Sequence, residues 1–136
     1  MKTVLFACIQ NAGRSQIAEA WFNRLVDAAK ARAISAGTQP APCVHPTVVK
    51  AMREVGIDLS SARPRALTPE VARAADVFIA MGCGDAIPDR PGVEIDAWTP
   101  DDPADKPLDA VRAIRDDIEE RVRRLLSARR WLREAA

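Results

Sequence analysis

Apolar residues fall along this chain in two rhythms, short unbroken runs and stripes repeating every three or four positions, and the two alternate. Val4-Leu5-Phe6-Ala7 is an unbroken run ending at Cys8, the pattern of a parallel strand buried on both faces. Ile17, Ala18, Trp21, Phe22, Leu25 and Val26 follow at i, i+1, i+4 and i+5, which is one face of a helix. Ala33–Gly37 predicts a second short strand closed by a glycine turn. Pro46 suits the first position of a helix with Val48, Val49, Met52 and Val55 on its buried face and Gly56 as its stop. Thr68 and Pro69 form an N-cap and N1 pair opening a short helix through Ala74 or Ala75. Asp76–Met81 is a third strand, again apolar, and Val93–Trp98 alternates as an edge strand with one wet face does. From about Pro107, the residues Leu108, Val111, Ile114, Ile118, Val122 and Leu125 recur at helical steps and predict a long final helix.

Strands alternating with helices predict an α/β fold: a right-handed three-layer sandwich around a four-stranded parallel sheet in the order 2-1-3-4. The chain carries no internal repeat or linker, and residues 1–136 read as a single domain able to bury its own core. In such sheets ligands bind at the carboxyl ends of the strands. Cys8 and Cys83 each follow an apolar strand, and those two strands are predicted neighbours, so both thiols arrive at one edge of the sheet. Asp101-Asp102-Pro103 follows the fourth strand to the same edge.

Composition narrows the classes. A net charge of +1 argues against a nucleic-acid surface, and Arg121, Arg123, Arg124, Arg129 and Arg130 read as a solvated helix face. No apolar stretch is long enough to span a bilayer, and Met1-Lys2 leads straight into a strand; a soluble, cytoplasmic protein without membrane partners is expected. Three cysteines without framework spacing fit thiol chemistry in a reducing compartment better than structural disulfides. With one histidine and scattered cysteines, no metal site and no bound cofactor are expected.

The segment that carries chemistry is Cys8-Ile9-Gln10-Asn11-Ala12-Gly13-Arg14-Ser15, lying between the first strand and the first helix. A turn of this kind aims backbone N–H groups and the positive helix end at one point, an oxyanion site. Ile9, Gln10, Asn11, Ala12, Gly13 and Arg14 supply that cup. A thiol facing a helix N-terminus and a guanidinium is disposed toward the thiolate. Arg14 offers a planar fork matched to a tetrahedral oxyanion, and the Ser15 hydroxyl can donate to the sulfur and steady it as a leaving group. Together these are the parts of a nucleophile beneath a bound oxyanion.

The run Cys8–Glu19 closely resembles the phosphate loop of the low-molecular-weight tyrosine phosphatase superfamily, and more narrowly that of the arsenate reductases built on the same fold. Ser35-Ala36-Gly37-Thr38, Val44-His45-Pro46 through Val55–Ser60, and Asp101-Asp102-Pro103-Ala104 are similar to the same branch. The resemblance implies the phosphatase I-like fold and the 2-1-3-4 order. It implies that Cys8 attacks arsenate, that Asn11 holds the loop through its amide, and that Asp102, the aspartate before proline, is the general acid while Asp101 is a turn residue. Phosphate and sulfate would mimic the substrate. It further implies an external thiol reductant, thioredoxin or a mycothiol or glutaredoxin type of system, and Cys83 as the thiol that resolves the Cys8 adduct.

Departures sharpen the picture. Thioredoxin-coupled relatives carry two cysteines after the third strand; here Cys83 is present but Ile87 stands where the second is expected, so the relay is shortened. Cys43 lies in another loop and reads as a passive thiol, and His45 as a loop or cap residue. Some relatives bind potassium behind the loop at positions matching Asn11, Glu19 and Ser35 plus an acidic residue; Arg65 stands at that last position, and no potassium dependence is expected. Two other readings remain open. A tyrosine phosphatase would use water in place of the second thiol, but Ala104 follows Asp102-Pro103 where phosphatases place a tyrosine, and the chain has no tyrosine. A non-catalytic oxyanion-binding or redox-sensing module would keep the loop without turnover.

Overall fold

The computed structural model describes residues 1–84 and 91–134. The strands are β1 (Lys2–Cys8), β2 (Ala31–Gly37), β3 (Val77–Ala80) and β4 (Glu94–Ala97), and the helices are α1 (Arg14–Leu25), α2 (Pro46–Arg53), α3 (Pro69–Arg73) and α4 (Leu108–Ala128). All pairings are parallel and the sheet order is β2-β1-β3-β4. The expected order and class are those observed.

The layers are unequal. Val4, Phe6 and Cys8 of β1 pack with α1, α2 and α4 in the larger core, whereas Leu5 and Ala7 pack with Phe78, Ala80 and Ala75 on the α3 side. This is the two-face burial that an unbroken apolar run predicts. Phe6 is clasped between Phe22 (ring centroids 6.0 Å) and Trp98 (5.4 Å). Trp98 directly follows β4, so this stack anchors the start of the segment that carries Asp101 and Asp102.

Two expectations need correction. β4 was read as having one buried face, but all four of its residues are exposed, Ile95 by 44%. It is an edge strand, and α3 has five residues with none fully buried, too little to cover it. In α4 the last buried leucine is Leu126, while Leu125 is half-buried. The step from Val122 is four residues, as a 3.6-residue period requires once a step of three would leave the face. The arginines of α4 are largely paired along the helix surface, Arg121 with Asp117 (3.2 Å) and Arg123 with Glu119 (2.9 Å), and Arg129 reaches Glu94 of β4. No helix among the described residues is long and apolar enough to cross a membrane.

α2 is tied to α4 by charge. Glu54, just past α2, accepts from Arg112 (2.6 and 2.9 Å) and Arg115 (3.0 Å), and Arg115 also donates to Ala51 O (2.9 Å). The hydrogen bond from Arg112 is the main cause that pushes the Glu54 carboxyl down to about 2 from an ordinary 4.5. A depressed folded-state value means that the contribution is complete above about pH 4.5 and is lost as pH falls through 2. Glu54→Gln should therefore lower the melting temperature above pH 4.5, with the gap from the unaltered chain closing toward pH 2. A gap independent of pH in acid melts would contradict this.

Candidate active site

The turn between β1 and α1 is held from outside by its carbonyls. Cys8 O accepts from Thr38 N (3.1 Å), Ile9 O from Gln39 N (2.8 Å), Gln10 O from Ala41 N (3.0 Å), and Ala12 O from His45 N (3.0 Å). Asn11 O accepts from the Gln16 amide (3.1 Å) and Gly13 O from Ile17 N (3.0 Å). Each carbonyl from residue 8 to residue 13 is thus bonded away from the cup. In a trans peptide the N–H of the following residue points the other way, so the N–H groups of residues 9–14 face inward. Four of the six donors come from the loop after β2, and Gly37 lets that loop close: a Cβ there would lie 2.5 Å from Ile9 O and 2.8 Å from Asn11 N.

Asn11 is the node. It is wholly buried and sits at φ 51°, a left-handed conformation that asparagine tolerates better than other side chains. Its Nδ2 donates to Ser15 Oγ (2.8 Å) and Ser35 Oγ (2.9 Å), and its Oδ1 accepts from Arg65 N (2.9 Å) and Gln16 Nε2 (3.2 Å). Its own N–H donates to Cys8 Sγ (3.2 Å). Ser15 Oγ lies 2.8 Å from Cys8 Sγ. Because Ser15 already accepts from Asn11, its hydroxyl proton is free to point at the sulfur, which therefore faces two donors. Behind this layer Arg65 Nε donates to Ser35 O (3.1 Å). Burial pushes the Glu19 carboxyl up, opposed by a hydrogen bond with Ser35 and by the Arg65 charge. A guanidinium thus stands beside Glu19 and Ser35.

Cys8, Gln10, Arg14, His45 and Asp102 line one small cavity of about 100 Å³. Arg14 Nη2 is 3.6 Å from Asp102 Oδ2, and Asp102 Oδ1 accepts from Ala104 N (3.0 Å), which fixes the carboxyl at the cavity mouth. Two glycines permit these approaches. A Cβ on Gly13 would lie 2.6 Å from Pro103 Cγ, and one on Gly82 would lie 2.9 Å from Arg14 Nη1. The neighbouring aspartates diverge: Asp101 lines a separate groove with Lys106, Asp117 and Arg121.

Cys83 leaves its strand at the same sheet edge as Cys8 but on the opposite face, buried with Leu5, Ala7 and Phe78. Burial is the main cause that raises its thiol value, and the nearby Cys8 adds to the rise; in this arrangement it is a protonated, sheltered thiol. Gly82 (φ 90°) and Gly84 (φ 65°) flank it. Cys43 is exposed, and Ile87 lies outside the described residues. The loop reading of His45 missed its place in the cavity. The signal was available, since residues 38–45 follow β2 at the same carboxyl edge that was used to place Cys83.

Residues 3–135 match the family model of the low molecular weight phosphotyrosine protein phosphatase. A Halobacterium salinarum protein provisionally named an arsenate reductase is 40% identical over 123 residues, 86% of this chain and 85% of that one. The glutaredoxin arsenate reductase of Synechocystis is 35% identical over 130 residues, 93% and 98% of the two chains. The thioredoxin-dependent arsenate reductase of Corynebacterium glutamicum superposes with a TM-score of 0.82 at 38% identity over 94% of this chain. This chain spans 61% of that longer one. The chain belongs to the low molecular weight phosphotyrosine protein phosphatase family.

Removing the node tests the site's construction. Asn11→Ala takes the amide donor from the buried Ser15 and Ser35 hydroxyls and strands Arg65 N, and should cost about 2–4 kcal/mol of unfolding free energy. A loss below about 1 kcal/mol in denaturant titration would mean that these groups find other partners.

Proposed function

We propose that this chain is a thiol-dependent arsenate reductase. The observation that carries the reading is the small cavity in which Cys8, six inward N–H groups, the Arg14 fork and the Asp102 carboxyl converge, with a second buried thiol on the neighbouring strand. The names of the relatives support the same activity. Among the described residues no Phe, Trp or Tyr lines the cavity, and in a phosphatase Cys83 would have no part to play.

Arsenate enters as a tetrahedral oxyanion and exchanges water for the inward N–H groups and Arg14. The Cys8 thiolate attacks arsenic, forming an S–As bond; the departing oxygen takes a proton from Asp102 and leaves as water. Ser15 and the Asn11 N–H steady the sulfur before attack and again when it becomes the group under attack. A second thiolate, that of Cys83, then attacks Cys8 Sγ. The S–As bonding pair stays on arsenic, which falls from the +5 to the +3 state and departs as arsenite. The two sulfurs are oxidised to a disulfide. An external thiol, a thioredoxin-type protein or a small thiol of a mycothiol or glutaredoxin system, reduces that disulfide and closes the cycle in a reducing cytoplasm. Because Ile87 replaces a further cysteine, the disulfide is not passed outward within this loop.

Arsenite production by the purified protein, supplied in turn with thioredoxin, glutaredoxin–glutathione and mycothiol systems, tests the reading. Cys8→Ser should abolish turnover, because an alkoxide does not replace the thiolate near neutrality. Asp102→Asn should slow the chemical step by about 10²–10⁴-fold, while Asp101→Asn, facing the other groove, should change little. No arsenite with any thiol system would remove the reductase reading, and the reverse ranking of the aspartates would reassign the acid.

A further inference from the structure

His45 is the one histidine of the chain, and it lies on the wall of the Cys8 cavity. Its backbone is fixed at both ends. The N–H donates to Ala12 O in the oxyanion loop (3.0 Å), and the carbonyl accepts from Val48 N (2.9 Å) and Val49 N (3.1 Å) in the first turn of α2. Pro46 follows directly and restricts the dihedrals of the residue before it. The ring packs over the oxyanion loop: its Cδ2 is 3.4 Å from the point where a Gly13 Cβ would stand, beside Pro103.

The imidazole is half-buried yet unemployed. It does not cap α2, and among the described residues it takes part in no hydrogen bond or ion pair. A ring on a backbone fixed at both ends, lining a cavity and without a protein partner among the described residues, is a donor placed for a ligand. The charged and titratable groups across the cavity are Cys8, Arg14 and Asp102; the cations of its own element, Lys50 and Arg53, lie in the last turn of α2. Arg14 is already 3.6 Å from Asp102, so part of its charge is spent on a carboxylate.

We propose that His45 is an oxyanion-binding residue: its imidazole N–H bonds directly to an oxygen of the bound anion, and its protonated form selects the dianion over the monoanion. This rests on the reading of the cavity as an oxyanion site and deepens it by assigning the charge preference. Imidazole carries a charge only when protonated, so binding of a dianion tightens as the ring takes up its proton. By linkage, a bound dianion holds the proton on His45 to higher pH.

Because there is a single histidine, its ring proton resonances are unambiguous in a proton NMR titration. Sulfate is the probe, since it stays doubly charged across the range and cannot be reduced. Saturating sulfate should move the His45 titration midpoint upward by about one pH unit, the equivalent of tenfold tighter binding to the protonated form. An unmoved midpoint, with sulfate shown by calorimetry to bind, overturns the proposal. In turnover, His45→Gln should raise the KM for arsenate about tenfold on the acid side of neutrality with kcat changed much less; a fall in kcat at constant KM would equally overturn it. If sulfate shifts His45 but no thiol system yields arsenite, the oxyanion role stands and the reductase reading falls. If arsenite forms while the midpoint stays fixed, the reverse holds.

Discussion

The structure depends on one constraint: each carbonyl from Cys8 to Gly13 must find a donor outside the cup. An oxyanion loop turns its N–H groups inward, and peptide geometry then turns its carbonyls toward the protein. Left unpaired in a buried place, each would cost on the order of 1–3 kcal/mol. The loop after β2 supplies four of the six donors, which explains why it follows the oxyanion loop so closely and why Gly37, with Ile9 O where a Cβ would stand, begins it. Asn11 performs the same service for the side chains, ordering Ser15, Ser35 and Gln16 about one buried amide. The loop is therefore held by the protein's own hydrogen bonds, which is the condition for fixed dipoles to stabilise charge without reorganising.

Around this rigid cup the parts that bring in chemistry are set by close approach. Pro103 rests where Gly13 lacks a side chain, so the Asp102 segment sits low over the cavity. The Arg14 guanidinium rests against Gly82 in the same way. Gly82 also begins the turn that carries Cys83. In the resting arrangement Cys83 is buried in an apolar niche with its thiol value raised.

How much of this was legible in the sequence follows from the range of each signal. The apolar runs and helical stripes gave sheet order and helices, because two-face burial of β1 and β3 writes itself into consecutive residues. Cys8, Arg14 and Ser15 were legible because one local turn carries them. The pair Asp101 and Asp102 was separable by resemblance alone; the structure places them in different cavities. β4 was misread because alternation implies a covering layer, and the helix that would provide it has five residues. His45 was passed over because its partner, Ala12 O, is a backbone atom more than thirty residues away, leaving no mark in composition or period. The faces of the two thiols were equally hidden: the topology brings Cys8 and Cys83 to one edge, but residue-by-residue alternation past the end of a strand is not fixed by pattern.

The central claim is that Cys8 takes the arsenic and Cys83 takes Cys8. A single turnover tests it most directly: fully reduced protein is mixed with arsenate and no other thiol, quenched by alkylation, digested and mapped by mass under non-reducing conditions, with arsenite counted in parallel. The account predicts a Cys8–Cys83 disulfide formed in step with arsenite, close to one per chain, with Cys43 left free to be alkylated. Arsenite without that link, a Cys8–Cys43 link in its place, or no arsenite until an outside thiol is added would contradict it.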